Sequence, residues 1–174
     1  MFENLIDSLK RRIRKSYDKQ AEAKLSHYLL QPLLALISLA LILGMLGVTG
    51  KGSLVAAVGS SIFVVFCMPD HYTARLQNLI SSHIICGGIG FGFSLLMPVP
   101  LSIDPYPILI GATAVALGMF VMVFTDTEHP PAAGTGLGMA FSSGEYMSLI
   151  FVILGILVLA AIKKALDPWL VDLV

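Results

Sequence analysis

Residues 125–138 have the sequence TDTEHPPAAGTGLG and directly follow a long uncharged apolar run. Pro130 and Pro131 have no backbone N–H, and their rings clash with the preceding helical turn, so a helix that arrives here must end near Glu128. Proline fits the first turn of a helix, and the small residues that follow can pack closely, so we expect a new helix to begin at this point. The stretch therefore predicts a broken helix.

The rest of the chain is apolar enough to lie in a membrane. Of its 174 residues, 56% are hydrophobic and 13% are charged, and the mean hydropathy is +0.86. A soluble core of this size cannot bury so many apolar side chains, and the composition excludes a disordered or nucleic-acid-coating protein. Seven of the eleven Lys and Arg residues lie in the first thirty positions, so the remaining body is nearly free of charge. We predict an integral membrane protein.

Five uncharged apolar segments approach the length that crosses about 30 Å of hydrocarbon. They cover residues 32–48, 53–68, 79–97, 107–124 and 148–162. The second segment is short and rich in small residues, and the third and fourth contain glycines that favour close helix packing. We expect an all-α polytopic membrane protein with four to five membrane-inserted helices, at least one of them broken or re-entrant.

The first 30 residues form a separate amphipathic segment. Apolar residues at positions 2–17 recur at helical spacing, and five of the six residues at positions 10–15 are basic. This pattern predicts an interfacial helix over residues 1–30, with its basic side among anionic headgroups and the N-terminus on the cytoplasmic side of the cell (inner) membrane. Residues 31–174 then form the transmembrane domain.

The number of crossings conflicts with the distribution of charge. Five full crossings from a cytoplasmic N-terminus would place Lys163 and Lys164 outside, against the positive-inside tendency. The conflict disappears if residues 53–68 or the stretch after Pro131 are re-entrant. The alternative is that two lysines are too few to fix the side of the C-terminus, and both explanations remain open at this point.

The first of two polar segments lies at residues 69–83, PDHYTARLQNLISSH. Its beginning needs no explanation beyond solvation in a loop. Asn78 and His83, however, lie five residues apart at the start of an apolar helix, where an imidazole without a partner is costly. Three roles are open for them: an interhelical hydrogen bond, the lining of a polar cavity, or metal ligation.

The second polar segment is the broken helix itself, where His129 precedes the two prolines. A break at membrane depth is tolerated only where it is buried in protein or lines a water-filled cavity. The N-terminus of the new helix carries a partial positive charge and suits a small anion. We therefore expect a wet pocket in which backbone amides, the imidazoles of His83 and His129, and the hydroxyls of Thr125 and Thr135 face the anion.

Other roles for the same residues remain open. The His129 ring can instead cap the end of a helix by bonding its terminal carbonyls. Asp126 and Glu128 can hold His129 protonated, or they can mark a path for a cation or a proton. The spacing of these side chains matches no metal motif, and the chain has no nucleophile turn, so we expect neither a metal site, nor another cofactor, nor an enzyme.

Residues 128–135, EHPPAAGT, resemble the signature of the HPP family of integral membrane proteins, which is named for its His-Pro-Pro motif. The order of Pro69-Asp70, Asn78 and His83 is similar to the second pattern of that family. The likeness covers about residues 31–164 in order and spacing.

The chain differs from the family pattern around the upstream motif. Gln77 stands where the family usually has an arginine, and Arg75 lies two positions earlier. Ser81 and Ser82 replace the Gly-Gly pair that precedes the histidine in relatives. The negative charge of Asp126 and Glu128 beside the His-Pro-Pro motif is a further difference.

The resemblance implies a family with four transmembrane helices, in which plant and cyanobacterial members are associated with nitrite transport. It implies a transporter or channel for a small monovalent anion, with nitrite as the expected substrate. Because so short a chain has few walls to enclose a polar path, we also expect a homo-oligomer. The rival hypothesis is a sensor or scaffold that transports nothing, in which the His-Pro-Pro turn is a rigid packing corner.

The hypothesis of an anion site selects residues from both polar segments. The residues expected to contact the anion are His129, Pro130, Pro131, Gly134, Thr135, Thr125, His83, Asn78, Gln77 and Arg75. Asp126 and Glu128 are expected to tune the charge of the site.

Overall fold

The computed structural model describes residues 6–7, 25–46, 52–96 and 106–174, and the regular structure in these ranges is helical. Six helices follow in order: α1 (Leu25–Leu46), α2 (Gly52–Cys67), α3 (Leu76–Ser94), α4 (Tyr106–Phe124), α5 (Pro131–Ala140) and α6 (Tyr146–Leu166). Two short 3₁₀ turns lie at Tyr72–Ala74 and Asp167–Trp169. The prediction of an all-α polytopic membrane protein is confirmed.

The boundary predicted for the N-terminal helix changes. Residues 25–30 belong to α1 and not to a separate amphipathic segment. The remainder of the helix predicted over residues 1–30 lies outside the described residues, apart from positions 6 and 7. The five predicted apolar segments correspond to α1, α2, α3, α4 and α6.

Three helices of the described part of the chain are long and apolar enough to cross a membrane. They contain the segments Ser26–Gly44, Pro107–Phe124 and Tyr146–Trp169. The helix α2 is apolar but has only 16 residues. Large apolar side chains on α1 and α4 are exposed, among them Leu36, Leu109, Phe120 and Phe124. An exposed apolar surface of this kind is typical of contact with lipid.

The helix α3 lies at the centre of the bundle and packs against α4, α5 and α6. Close approach to its neighbours depends on glycines, because Gly90 faces the backbone of Gly136 on α5. Gly118 on α4 likewise faces Cys86 on α3. Gly88 also lies on α3 but faces open space, so only part of the predicted small-residue surface is used for packing within this chain.

The predicted break is present before the two prolines, but the preceding helix ends at Phe124 and not near Glu128 as predicted. The helix α4 ends at Phe124 and α5 begins at Pro131, with Asp126 in a left-handed conformation (φ 54°) in the connection. The helix α5 has 10 residues and is about 15 Å long, half the thickness of the hydrocarbon layer. Residues 53–68 and the stretch after Pro131 were the two candidates for a re-entrant segment, and the stretch after Pro131 forms the shorter helix.

The start of α1 and the C-terminal tail lie at the same end of the bundle. The Gln31 side chain is completely buried; its amide donates to the carbonyl of Phe66 and, at 3.0 Å, to that of Val171. Its Oε1 accepts the N–H of Val171 at 3.1 Å. We call this the Gln31 end. Lys163 and Lys164 lie in the last turn of α6, at the same end.

This arrangement removes the conflict between crossings and charge. Because α5 adds a further antiparallel helix, α1 begins and α6 ends on the same side. Lys163 and Lys164 thus lie on the side on which α1 begins, so a cytoplasmic N-terminus does not place them outside.

The Gln31 contacts predict a role in holding the C-terminal tail. The substitution Gln31→Ala leaves the carbonyl of Phe66 and the backbone of Val171 without this partner, at a cost of about 1–3 kcal/mol. We expect a lower thermal unfolding temperature in detergent and faster removal of the tail by carboxypeptidase. The substitution Leu30→Ala, at an exposed neighbouring position, serves as the control. Equal digestion rates for both variants would show that Gln31 does not hold the tail.

Candidate functional site

The two histidines singled out in the sequence meet in the interior of the bundle. Nε2 of His83 lies 2.9 Å from the hydroxyl oxygen of Ser61, and Nε2 of His129 lies 3.0 Å from the same oxygen. Nδ1 of His83 lies 2.8 Å from the hydroxyl of Thr135, and Nδ1 of His129 lies 2.8 Å from the carbonyl oxygen of Thr73. We call these five residues the histidine network.

The direction of each hydrogen bond follows from the carbonyl at one end. The Thr73 carbonyl can only accept, so Nδ1 of His129 carries the proton. Burial lowers the pKa of His129, which lies between α4 and α5, so its ring is neutral and Nε2 accepts the Ser61 hydroxyl. The Ser61 oxygen then accepts the Nε2–H of His83, and Nδ1 of His83 accepts the hydroxyl of Thr135. All four bonds are satisfied by this one arrangement of protons.

The histidine network is closed to solvent. His83 and His129 are both 0% exposed, and their rings are 5.4 Å apart between centroids. His83 is seven residues into α3, which places it about 10 Å from the start of the helix. The prediction of a wet pocket around the two imidazoles is therefore wrong for this structure, because every ring nitrogen is hydrogen-bonded to a protein group.

The expectation that the broken helix presents free backbone amides is also wrong. Pro130 is the N-cap of α5 and Pro131 is its first residue, and neither has an N–H to offer. The next two amides are already used, since Ala132 donates to the carbonyl of His129 at 2.9 Å and Ala133 donates to that of Pro130 at 3.1 Å. The prolines that create the helix start thus also remove the donors that normally bind an anion there.

Thr125, predicted to supply a hydroxyl, lies away from the histidines. Its hydroxyl is 2.8 Å from the carbonyl of Val121 in its own helix, and 2.8 Å from the hydroxyl of Thr127. Because the carbonyl can only accept, the Thr125 hydroxyl caps the end of α4. This residue is exposed at the surface.

The two carboxylates beside the motif do not contact His129, whose ring nitrogens bond to Thr73 and Ser61. They therefore do not hold this imidazole protonated through a hydrogen bond, which was one of the roles left open for them. Asp126 is exposed in the connection between α4 and α5. Oε2 of Glu128 is buried and has no hydrogen-bond partner within the described ranges.

The upstream residues divide between the interior and the surface. Asn78 is buried, and its side-chain amide donates to the backbone carbonyl of Glu128 at 3.3 Å, which joins α3 to the broken helix. This bond is the interhelical role that the sequence left open for Asn78. Gln77 and Arg75 are exposed and lie outside the histidine network.

Three other predicted residues line a groove between α2 and α5. The groove has a volume of about 720 Å³ and a mostly apolar lining of Ser53, Ala56, Ala57, Ser60, Phe63, Val64, Pro130, Pro131, Gly134 and Leu137. Pro130, Pro131 and Gly134 therefore share one surface, while the histidines lie behind it in the interior.

Sequence reasoning missed Ser61, the residue that joins the two imidazoles. In the sequence it is one of several small residues of the second apolar segment, although a buried hydroxyl in an apolar helix is itself a sign of an interhelical bond. Its oxygen also lies 2.9 Å from the carbonyl of Ala57, so its single proton is shared between that carbonyl and His129. The adjacent Ser60 bonds only to carbonyls of its own helix.

The arrangement brings together donor-capable side chains, and the partners at the ring nitrogens are all uncharged. The described residues contain no cluster of three or more His, Cys, Asp or Glu side chains that could hold a metal ion. A family model described as "HPP, transmembrane region" matches residues 20–167 of the chain. No curated protein and no solved structure matches it significantly.

Proposed function

Because the chain belongs to the HPP transmembrane region family, we propose that it is a transporter or channel for a small monovalent anion, with nitrite as its substrate. The single observation that carries this proposal is the histidine network, a buried series of hydroxyls and imidazoles inside an apolar bundle. Polar groups within membrane helices are costly and usually mark the path of an ion or a proton.

Hydroxyls and imidazoles suit a monovalent anion better than fixed cations do. They donate hydrogen bonds that replace part of the anion's hydration, yet they leave no permanent charge that would hold it too tightly to be released. In the closed arrangement, the donors of Ser61 and Thr135 point at histidine nitrogens. Transport then requires these hydroxyls to turn from their nitrogen partners toward the anion.

The same network restricts the movement of a proton. A proton cannot pass from His129 to the Thr73 carbonyl and onward, because that carbonyl has no proton of its own to release. A proton taken up by the histidines can therefore leave on the Thr73 side only after His129 separates from Thr73. This requirement favours a transporter that couples proton release to a conformational change over a permanently open channel.

Anion flux into proteoliposomes that contain the purified full chain tests the proposal. We expect nitrite uptake above that of empty liposomes. In His129→Ala, uptake should fall by about tenfold or more, because this variant lacks one essential hydrogen-bond donor. The substitution His27→Ala, at a histidine on α1 outside the histidine network, is the matched control and keeps its flux. Uptake measured with an inward proton gradient should exceed uptake without one.

If proteoliposomes with folded wild-type protein take up no more nitrite than empty liposomes do, transport is rejected and the rival function is favoured. That rival is a sensor or scaffold module, and one observation favours it: the ring nitrogens of both buried histidines and the first amides of α5 all have protein partners. A rigid structural turn likewise requires hydrogen-bond partners for its buried polar groups.

We further propose a homo-oligomer in the cell (inner) membrane with the N-terminus in the cytoplasm. The placement of Lys163 and Lys164 at the Gln31 end supports this orientation. Support for assembly comes from the groove between α2 and α5, whose exposed Ser53 and Ala56 allow close approach of another helix. The mass of the purified complex in detergent measures the number of copies.

A further inference from the structure

A cleft at the Gln31 end gathers positive charge from distant parts of the sequence. It has a volume of about 360 Å³ and is lined by Pro69, Asp70, Arg75, Leu76, Lys163, Lys164 and Asp167. We call it the basic cleft. Within residues 6–7, 25–46, 52–96 and 106–174, every lysine and arginine of the chain is part of this lining.

One cation of the basic cleft, Lys163, is held in a defined position. The Lys163 side chain is 6% exposed, and its ammonium group donates to the Pro69 carbonyl at 3.3 Å and to Oδ1 of Asp167 at 2.7 Å. Asp167 is 62% exposed, so water screens its charge. Arg75 and Lys164 are exposed beside them. Among the lining residues, three cationic side chains stand against two carboxylates, and the carboxylate of Asp172 lies beside the cleft and accepts the backbone N–H of Asp70 at 3.1 Å.

The basic cleft lies where a spanning helix ends. The apolar segment that contains α6 extends to Trp169, whose side chain is 64% exposed. Tryptophan at the end of a span is typical of the level of the lipid headgroups. Lys163 and Asp167 belong to the same last turns, so the cleft opens at the height of the lipid phosphates.

We propose that the basic cleft binds the phosphate group of an anionic phospholipid. Arginine and lysine at the cytoplasmic ends of membrane helices are suited to this group, because phosphate oxygens accept several charge-assisted hydrogen bonds at once. Free inorganic phosphate offers the same chemistry, but a cleft at the end of a span faces headgroups at high local concentration. Arg75, which the sequence assigned to the transported anion, thus contacts lipid.

The only tryptophan of the chain, Trp169, provides the readout. The full chain is placed in mixed bilayers in which either phosphatidylglycerol or phosphatidylcholine carries bromine atoms that quench tryptophan fluorescence. We expect phosphatidylglycerol to quench more strongly at equal fractions. The affinity for phosphatidylglycerol relative to phosphatidylcholine should fall about fivefold in Arg75→Gln and about fivefold in Lys164→Gln, because each variant loses the attraction of one cation to the phosphate.

The substitution Asp70→Asn is the opposite control. It removes a negative charge from the same cleft, so it should raise the preference for phosphatidylglycerol while the cationic variants lower it. Thermal unfolding in neutral detergent checks that all three variants are folded.

Two results would overturn the assignment to lipid. One is equal quenching by the two lipids in the wild-type protein, or a preference that is unchanged in the double variant Arg75→Gln/Lys164→Gln. The other is a preference that a few millimolar inorganic phosphate abolishes at constant ionic strength, because this would assign the cleft to a free anion. A preference that persists in phosphate and is lost in the double variant supports the proposal.

Discussion

Replacement of Ser61 by alanine is expected to destabilise the protein by at least about 2 kcal/mol and to abolish anion flux. The substitution removes the acceptor of the His83 Nε2–H and the donor to the His129 Nε2 at the same time. Each buried polar group left without a partner costs about 1–3 kcal/mol, and both rings are completely buried. Thermal unfolding in detergent and proteoliposome flux measure the two effects.

The neighbouring serine is a matched control. Ser60 lies on the same helix, but its hydroxyl bonds only to the carbonyls of Ala56 and Ala57. Because those carbonyls belong to the helix itself, Ser60→Ala should change stability by less than about 0.5 kcal/mol. If the two alanine variants unfold at the same temperature, Ser61 does not join the histidines in the folded protein.

Replacement of Gly90 by alanine is expected to separate α3 from α5, with a cost of about 3 kcal/mol. A Cβ at this position would overlap the carbonyl oxygen of Gly136 and lie 2.9 Å from the Cβ of Met139. Backbone cannot turn away as a flexible side chain does, so the helices must move apart. The measurement is the unfolding temperature, together with protease cleavage in the connection around α5.

The same substitution two residues earlier tests whether packing is the cause. A Cβ at Gly88 meets no atom within 4 Å. Since alanine favours the helix over glycine by about 1 kcal/mol, Gly88→Ala should leave stability unchanged or increase it slightly. Equal destabilisation by both substitutions would contradict the close contact of Gly90 with α5.

The packing of Gly90 is linked to the histidine network through α5. This short helix carries Thr135, whose hydroxyl donates to His83, one residue before the contact at Gly136. A displacement of α5 therefore also breaks the bond at the start of the network. We expect Gly90→Ala to lose anion flux even in preparations that remain folded at low temperature.

The sequence was a reliable guide wherever local chemistry decides the structure. Pro130 and Pro131 locate the start of α5 and prevent α4 from continuing past them, because an imino acid cannot supply the amide that continues a helix, although α4 already ends at Phe124. The same local property was misjudged at the next step. The two prolines lack an N–H, and the next two amides are already bonded, so the expected anion site made of free amides at the start of α5 is absent from this structure.

The two histidines could be selected from the sequence, but their partners could not. His83 stands out because an imidazole in an apolar helix requires a partner, and His129 stands out because it precedes the two prolines at a helix break. The partner, Ser61, is 22 residues from one ring and 68 from the other, and nothing in the spacing connects them. Likewise, the basic cleft joins Arg75 to Lys163 and Lys164 across about half of the chain.

The amino-acid sequence alone determined that this protein is a bundle of membrane helices with one interruption, because hydropathy and proline act on the segments in which they occur. Only the tertiary structure decided that the histidines at the interruption are closed to solvent, and that α1 begins at the same end of the bundle at which α6 ends. The physical reason is that a hydrogen bond between helices depends on their rotation and separation. Those quantities are set by distant contacts, such as that of Gly90 with Gly136, and not by the residues that form the bond.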